Sequence, residues 1–296
     1  MKRFTINLLS TFLAFAAGLV TASSWNTTRL ATAEPVLRVI ERCPPGQNQA
    51  PPASTSISVP IDREHDFGQG LKLVPEKVQL KSVSMRYDID VKYPQIVMKY
   101  PGIMGGNPNI SKVNEHIKAI ATEKYQWPLK LTKEEVRIGQ ETLPGTYNSV
   151  NVDYEISLAT DSLLSFHFVG YSYGVGAAHA VQESAPMNYD LTSGRQLKLD
   201  DIFKPGSRYL QFISEHCSDA LVEVTGRPEA LNKQALAPVA KNFDSWHITN
   251  GGITFNFDAC EVFACAEGDQ AVAISFSDLQ PFLNSGIPRK FKIIYP

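Results

Sequence analysis

Residues 171–199, YSYGVGAAHAVQESAPMNYDLTSGRQLKL, decide how this chain is read. A small-residue turn runs from Gly174 to His179. A polar stretch follows, then two short extended segments around the turn Asp190 to Arg195. Reversals of this kind join antiparallel strands. Just upstream, NVDYEISLAT (151–160) and LLSFHFVGYSYG (163–174) are rich in β-branched and aromatic residues and are separated by Asp161 and Ser162. That pattern predicts a further antiparallel pair.

Working outward, VQLKSVSMRYDIDVKYPQI (78–96) alternates and reads as strand, bent or ended at Tyr93-Pro94. A loop dense in glycine and proline leads to a helix that Asn109 or Ser111 can cap, with Val113, Ile117 and Ile120 on one face. Downstream, Leu199 to Phe203 reads as a short turn, and Ser207 opens a helix to about Thr225. Leu210, Ile213, Cys217, Leu221 and Val224 keep its helical spacing. Pro228 suits the first position of another short helix. Residues 246–258 read as a hairpin turning at Asn250 to Gly252. AVAISF (271–276) is a strand, Ser277 caps a last short helix, and RKFKIIYP closes as a strand. The strands cluster, joined by hairpins, and do not alternate with helices as in a nucleotide-binding β-α-β fold. The fold expected is α+β: two small subdomains of antiparallel β-sheet with helices packed on one face.

The 296 residues are 43% hydrophobic and 20% charged, an ordinary globular composition with material for one large or two small domains. A net charge of −2 without long like-charge runs excludes a nucleic-acid reading. Met1 to Arg3 is a basic n-region before the uncharged run INLLSTFLAFAAGLV (6–20). Ala31-Thr32-Ala33 fits a signal-peptidase site, with Ala22 to Ser24 as a nearer option. The run is short against the roughly 20 residues of a bilayer span, although Phe4 to Ala22 would serve as an uncleaved anchor. The membrane is therefore expected to be met only through this segment. With three residues ahead of it, no cytoplasmic domain is expected. The organisation expected is a signal peptide or anchor over 1–33, a Pro/Ser-rich linker over 34–77, and folded domains over 78–176 and 177–296.

Four cysteines in an exported chain permit two disulfides. Cys260 and Cys265, five apart across a bend, are the better pair; Cys43 with Cys217 needs a long-range contact. Cys217 falls on the apolar stripe of a helix, where a free buried thiol is the usual state. No C-x-x-C and no zinc-like Cys/His spacing occurs, so no metal or other cofactor is expected.

Gly170 to Gly174 matches G-x-S-x-G around Ser172, but the loop that follows is not the helix a nucleophile elbow needs. His179, behind small neighbours, either binds a ligand or bonds a buried carbonyl. Gly174 and Gly176 lack the third glycine and helix of a dinucleotide site. The pairs Asp88/Asp90 and Asp200/Asp201 have no placed partner for glycosidase chemistry. Tyr171 and Tyr173, if exposed, make a binding surface; core packing is the plainer role for the alternating aromatics.

DIDVKYPQI (88–96) with ISKVNEHIKAI (110–120) resembles the N-terminal domain found ahead of the PdaC-type peptidoglycan deacetylases, and residues 149–180 resemble its closing strands and its glycine-alanine-histidine turn. NYDLTSGRQLKLDDIFKPG (188–206), NFDSWHITNGGITFNFDACEV (242–262) and AVAISFSDLQPFL (271–283) are similar to the ectodomain of the RsiV-type, lysozyme-sensing anti-sigma factors. The likeness covers roughly residues 78–296. Such anti-sigma factors place a sigma-binding segment before the membrane, and such deacetylases append a catalytic metal domain. Neither is expected here, so neither activity is carried over. The family usually has an aromatic residue where Cys260 stands, and a Cys260–Cys265 clip would replace that packing.

The resemblance implies a non-enzymatic extracytoplasmic module, periplasmic or extracellular. Its expected partner is a lysozyme-like protein or cell-wall glycan, met through Tyr171, Tyr173 and His179. The rival expectation is a cell-wall hydrolase or esterase using Ser172 and His179, and the third is a structural envelope protein.

Overall fold

The computed structural model describes residues 38–41, 65–66, 70–100 and 108–287. The leader with its cleavage sites, Cys43 and the closing strand RKFKIIYP lie outside the described residues. The described residues form two β-sheets with helices beside them.

The seven-stranded sheet holds, side by side in chain order, β2 (His65–Asp66), β3 (Leu71–Ser82), β4 (Tyr87–Met98), β5 (Asn148–Ala159), β6 (Leu163–Tyr173), β7 (Val181–Asp190) and β8 (Arg195–Gln196). The four-stranded sheet has β1 (Arg38–Glu41) beside β11 (Gln270–Ser275), then β10 (Gly252–Phe257) and β9 (Trp246–Ile248). Neighbours are antiparallel except β4/β5 and β1/β11. Few helices accompany the sheets, and the class is α+β.

Several boundaries differ from expectation. Strand β3 starts at Leu71, and β1 and β2 also fall inside the stretch expected to be linker. Residues 78–96 are a hairpin rather than one strand, because the chain reverses over 83–86 without a glycine, proline or asparagine to announce it. Strand β4 runs through Pro94 to Met98. Pro94 stands opposite Pro75, beyond the segment of β4 that pairs with β5, so neither proline removes a donor that the ladder uses. Past that segment, the Asn114 amide patches the open edge: Oδ1 accepts from Ile96 N (2.9 Å) and Nδ2 donates to Ile96 O (2.8 Å).

The connection from β4 to the parallel β5 is a helical crossover, so one β-α-β unit does occur. It holds α1 (Pro108–Glu123), a 3-10 turn (Trp127–Lys130) and α2 (Lys133–Thr142). Helix α1 has already begun before Asn109 and Ser111, so neither is its cap. Its buried stripe is Ile110, Val113, Ile117 and Ala121, packed on Ile89, Val91, Phe166 and Phe168 of the sheet. Asn109 instead donates to Thr192 O (2.6 Å) in the β7–β8 turn. Gly194 closes that turn at φ 69°, and an added Cβ would stand 2.9 Å from Asn109 O, so only glycine fits.

The second core gathers around the four-stranded sheet, α3 (Leu199–Ile202), α4 (Tyr209–Thr225) and α5 (Phe276–Leu279). Helix α4 begins behind Arg208, one residue past Ser207, whose hydroxyl donates to Lys204 O (2.8 Å) instead of capping it. It ends at Gly226 in the left-handed region. Ser275, not Ser277, caps α5 by accepting from Asp278 N (3.2 Å). Cys217 is a free thiol in this core, and burial pushes its pKa up.

Cys260 and Cys265 form a disulfide between β10 and β11. Cys260 holds φ 73°, a left-handed conformation costly for a residue with a side chain. The small covalent loop constrains the unfolded chain by about 2 kcal/mol. The double substitution Cys260→Ser/Cys265→Ser is expected to lose about that much, and reductant should lower the melting temperature of the native chain but not that of the variant.

The two sheets meet where β9 lies over β5, β6 and β7. Strand β9 is an edge strand, and its outer backbone groups find side chains instead of a further strand. Asn188 Nδ2 donates to Trp246 O (2.8 Å), and Ile248 N donates to Ser165 Oγ (2.9 Å) and Asn188 Oδ1 (3.2 Å). Ser165 and Asn188 are cross-strand partners on β6 and β7, and Ser165 donates to Asn188 Oδ1 (2.7 Å). Both are buried. The same face carries His167, whose ring stacks on that of His247 of β9 at 4.9 Å between centroids. The seven-stranded sheet continues without a break across the boundary expected at 176/177, from β6 into β7.

Candidate functional site

One end of the seven-stranded sheet encloses a cavity of about 130 Å³. Four segments build it: the β3–β4 turn, the start of β5, the end of β6 and helix α2. Helix α2 starts with a capping box in which Thr132 Oγ1 accepts from Glu135 N (3.2 Å) and the Glu135 carboxylate accepts from Thr132 N (2.7 Å). Those bonds hold the Glu135 carboxyl below its ordinary range. Glu135 lines the cavity with its Oε2 thus engaged, accepting also from Thr132 Oγ1 (2.7 Å), beside Val136, Gly139 and Gln140 of the same helix.

Arg86 enters from the turn at φ 49°. Its guanidinium carbon lies 5.3 Å from the centroid of Tyr147, a cation–π distance. Its Nε is buried with no hydrogen-bond partner. Asn148, also buried, joins two of the walls: its backbone N donates to Arg86 O (2.9 Å) and its Oδ1 accepts from Val175 N (2.8 Å). Gly139 lets the loop after β6 close on α2, since a Cβ there would stand 3.2 Å from Val175 Cγ1. Thr146 completes the polar lining. Among the described residues no group of three or more His, Cys, Asp and Glu can hold a metal ion.

The loop expected to bind therefore contributes to the cavity through Val175, a residue the sequence reading does not single out. Tyr171 and Tyr173 lie two apart on one face of β6, Tyr171 being 42% exposed. His179 is exposed beyond the strand, its Nδ1 3.0 Å from the carbonyl of Ala180. Ser172 is buried in regular pairing between Val150 and Val181. A nucleophile elbow needs a sharp strand-to-helix corner, and Ser172 has a straight strand.

The acid pairs are structural. Asp88 pairs with Lys81, and Asp90 Oδ2 accepts from Gln79 (2.6 Å). Asp200 accepts from the Tyr209 hydroxyl (2.7 Å), and Asp201 accepts from Lys198 N (2.9 Å) and Arg195 (3.2 Å). Only the capping box Thr132-x-x-Glu135 marks the cavity in the sequence. Arg86, Gln140, Asn148 and Val175 come from four separate segments, and no local pattern ties them together.

The chain is 30% identical over 174 residues to the peptidoglycan-N-acetylmuramic acid deacetylase PdaC of Bacillus subtilis, a match covering 58% of this chain and 36% of that protein's length. The chain thus spans about a third of that relative. Its fold is similar to the crystal structure of a DUF3298 family member from Bacteroides fragilis (TM-score 0.55, 17% identity, 74% of this chain and 97% of that one). A DUF3298 protein from Pseudomonas aeruginosa matches with TM-score 0.47 at 14% identity, over 73% and 96% of the two chains. Residues 200–277, from α3 through β11 to the start of α5, match the family described as "Protein of unknown function (DUF3298)", and the chain contains a DUF3298 domain there.

Proposed function

We propose that this chain is an extracytoplasmic module that binds peptidoglycan without transforming it. The observation that carries the reading is the 30% identity over 174 residues to a protein named for a peptidoglycan substrate. The Cys260–Cys265 disulfide supports an oxidising compartment, the periplasm or the cell exterior. Ser172, inside a straight strand, and His179, bonded to its neighbour's carbonyl in an exposed loop, speak against hydrolysis at those residues. No helix of the described residues is long and apolar enough to cross a membrane.

The test is co-sedimentation of the full chain with insoluble peptidoglycan, beside soluble lysozyme as a second bait and an assay for released acetate. Retention on peptidoglycan without acetate release is the expected result. Capture of lysozyme alone would move the partner to a lysozyme-like protein, and acetate release would replace binding by catalysis.

A further inference from the structure

We infer that the cavity at Arg86 is a carboxylate-binding site, the point at which the module grips an acidic group of the cell-wall polymer; this rests on the peptidoglycan reading above. A guanidinium is a fork of donors that matches a carboxylate in two parallel bonds. In folded proteins such a group is normally paired once it is partly buried, because an unmade hydrogen bond costs more than a made one gains.

Arg86 departs from that norm. It is half-buried, its Nε is out of water and unpartnered, and among the described residues it has no carboxylate within ion-pair distance. The one acid lining the cavity, Glu135, takes both of its Thr132 bonds on Oε2 and forms no ion pair with Arg86. Arg86 is also held in place: its backbone takes a left-handed φ of 49°, its carbonyl is fixed by Asn148, and its guanidinium rests against Tyr147. A site built this way has its cation oriented before the ligand arrives.

The remaining free polar wall is made by Thr146 and Gln140, and the apolar wall by Val136 and Val175. The volume of about 130 Å³ is far more than the roughly 10–15 Å³ one water needs. It suits a carboxylate together with the carbon atoms next to it. Two groups of peptidoglycan present that chemistry: the lactyl arm of muramic acid where the peptide stem has been removed, and the terminal carboxylate of an intact stem.

Titration of the full chain with N-acetylmuramic acid and, separately, with D-alanyl-D-alanine tells the sources apart, with the neutral sugar N-acetylglucosamine as control. Binding is followed by amide chemical shifts at Asn148 and Val175. One or both carboxylates should bind, and Arg86→Gln should weaken that binding by at least about tenfold, the loss expected of a charge-assisted pair. Thr146→Val should weaken it less, and melting curves establish that both variants fold. Equal affinity in the native chain and Arg86→Gln, equal binding of the neutral sugar, or no shift at millimolar ligand would each overturn the site. If the native chain and Arg86→Gln are retained equally on insoluble peptidoglycan, the cavity assignment fails while the function stands. If the carboxylates bind at Arg86 but the polymer is not retained, the function fails and the site stands.

Discussion

Asn188→Ala should lower the free energy of unfolding by about 2–4 kcal/mol, out of proportion to a single surface-type residue on a β-strand. Asn188 is 3% exposed, and its amide is the hinge of the junction between the sheets. The nitrogen donates to Trp246 O, and the oxygen accepts from the Ser165 hydroxyl and from Ile248 N. Truncation leaves the Trp246 carbonyl and the Ser165 hydroxyl without these partners in a buried interface. Each such group costs about 1–3 kcal/mol. Ile248 N keeps its bond to Ser165 Oγ, so the strand is loosened rather than freed. Ser165→Ala should cost less, and the two changes together less than their sum, because they break one network. The check is urea denaturation with the transition midpoint shifted and the slope unchanged. A loss below about 1 kcal/mol would mean that the Asn188 bonds add little to the packing that holds β9 against the seven-stranded sheet.

That junction explains which parts of the fold a sequence can disclose. Strands β5, β6 and β10 announce themselves through their β-branched and aromatic content, and helix α4 through Ile213, Cys217 and Leu221 on one stripe, whereas most of β7 reads as a polar stretch. Those are local signals with a fixed period. Ser165 and Asn188, 23 positions apart, read as ordinary strand residues. Only the β6–β7 register makes them one unit, and only the second sheet gives that unit something to bind. The β3–β4 turn hides for another reason: Arg86 takes a backbone angle that turn statistics assign to glycine or asparagine. A non-glycine residue in that region persists when its surroundings fix it, and here the fixed residue is the cation of the cavity. The parallel β4–β5 pair is concealed by the long helical crossover between its strands. The capping box at Thr132 is legible and by itself predicts the helix that forms one wall of the cavity.

Acidification should unfold the chain through the same junction. His247 lies between β10 and the seven-stranded sheet, with its Nδ1 3.1 Å from the Asn256 amide and its ring on His167. Burial, and then the charge of His167, bring its pKa down to about 3 from an ordinary value of 6.5. Above pH 6.5 the ring is neutral in both the folded and the unfolded chain, and stability does not depend on it. Between pH 6.5 and 3 the unfolded chain binds a proton there that the folded chain refuses, so stability falls as pH falls. The slope is about 1.4 kcal/mol per pH unit for this one group, enough over two or more units to match the loss from Asn188. Glu155 acts in the same sense at the lower end: its hydrogen bond with His167 holds its carboxyl below the ordinary range, and that contribution disappears once the carboxyl is protonated. His247→Phe keeps a ring against His167 and removes the proton site. Its stability, measured by urea denaturation from pH 7 to pH 4, should vary with pH less steeply than that of the native chain by about 1.4 kcal/mol per unit. Parallel curves for the two proteins would show that the imidazole reaches water in the folded state and that the acid sensitivity lies elsewhere.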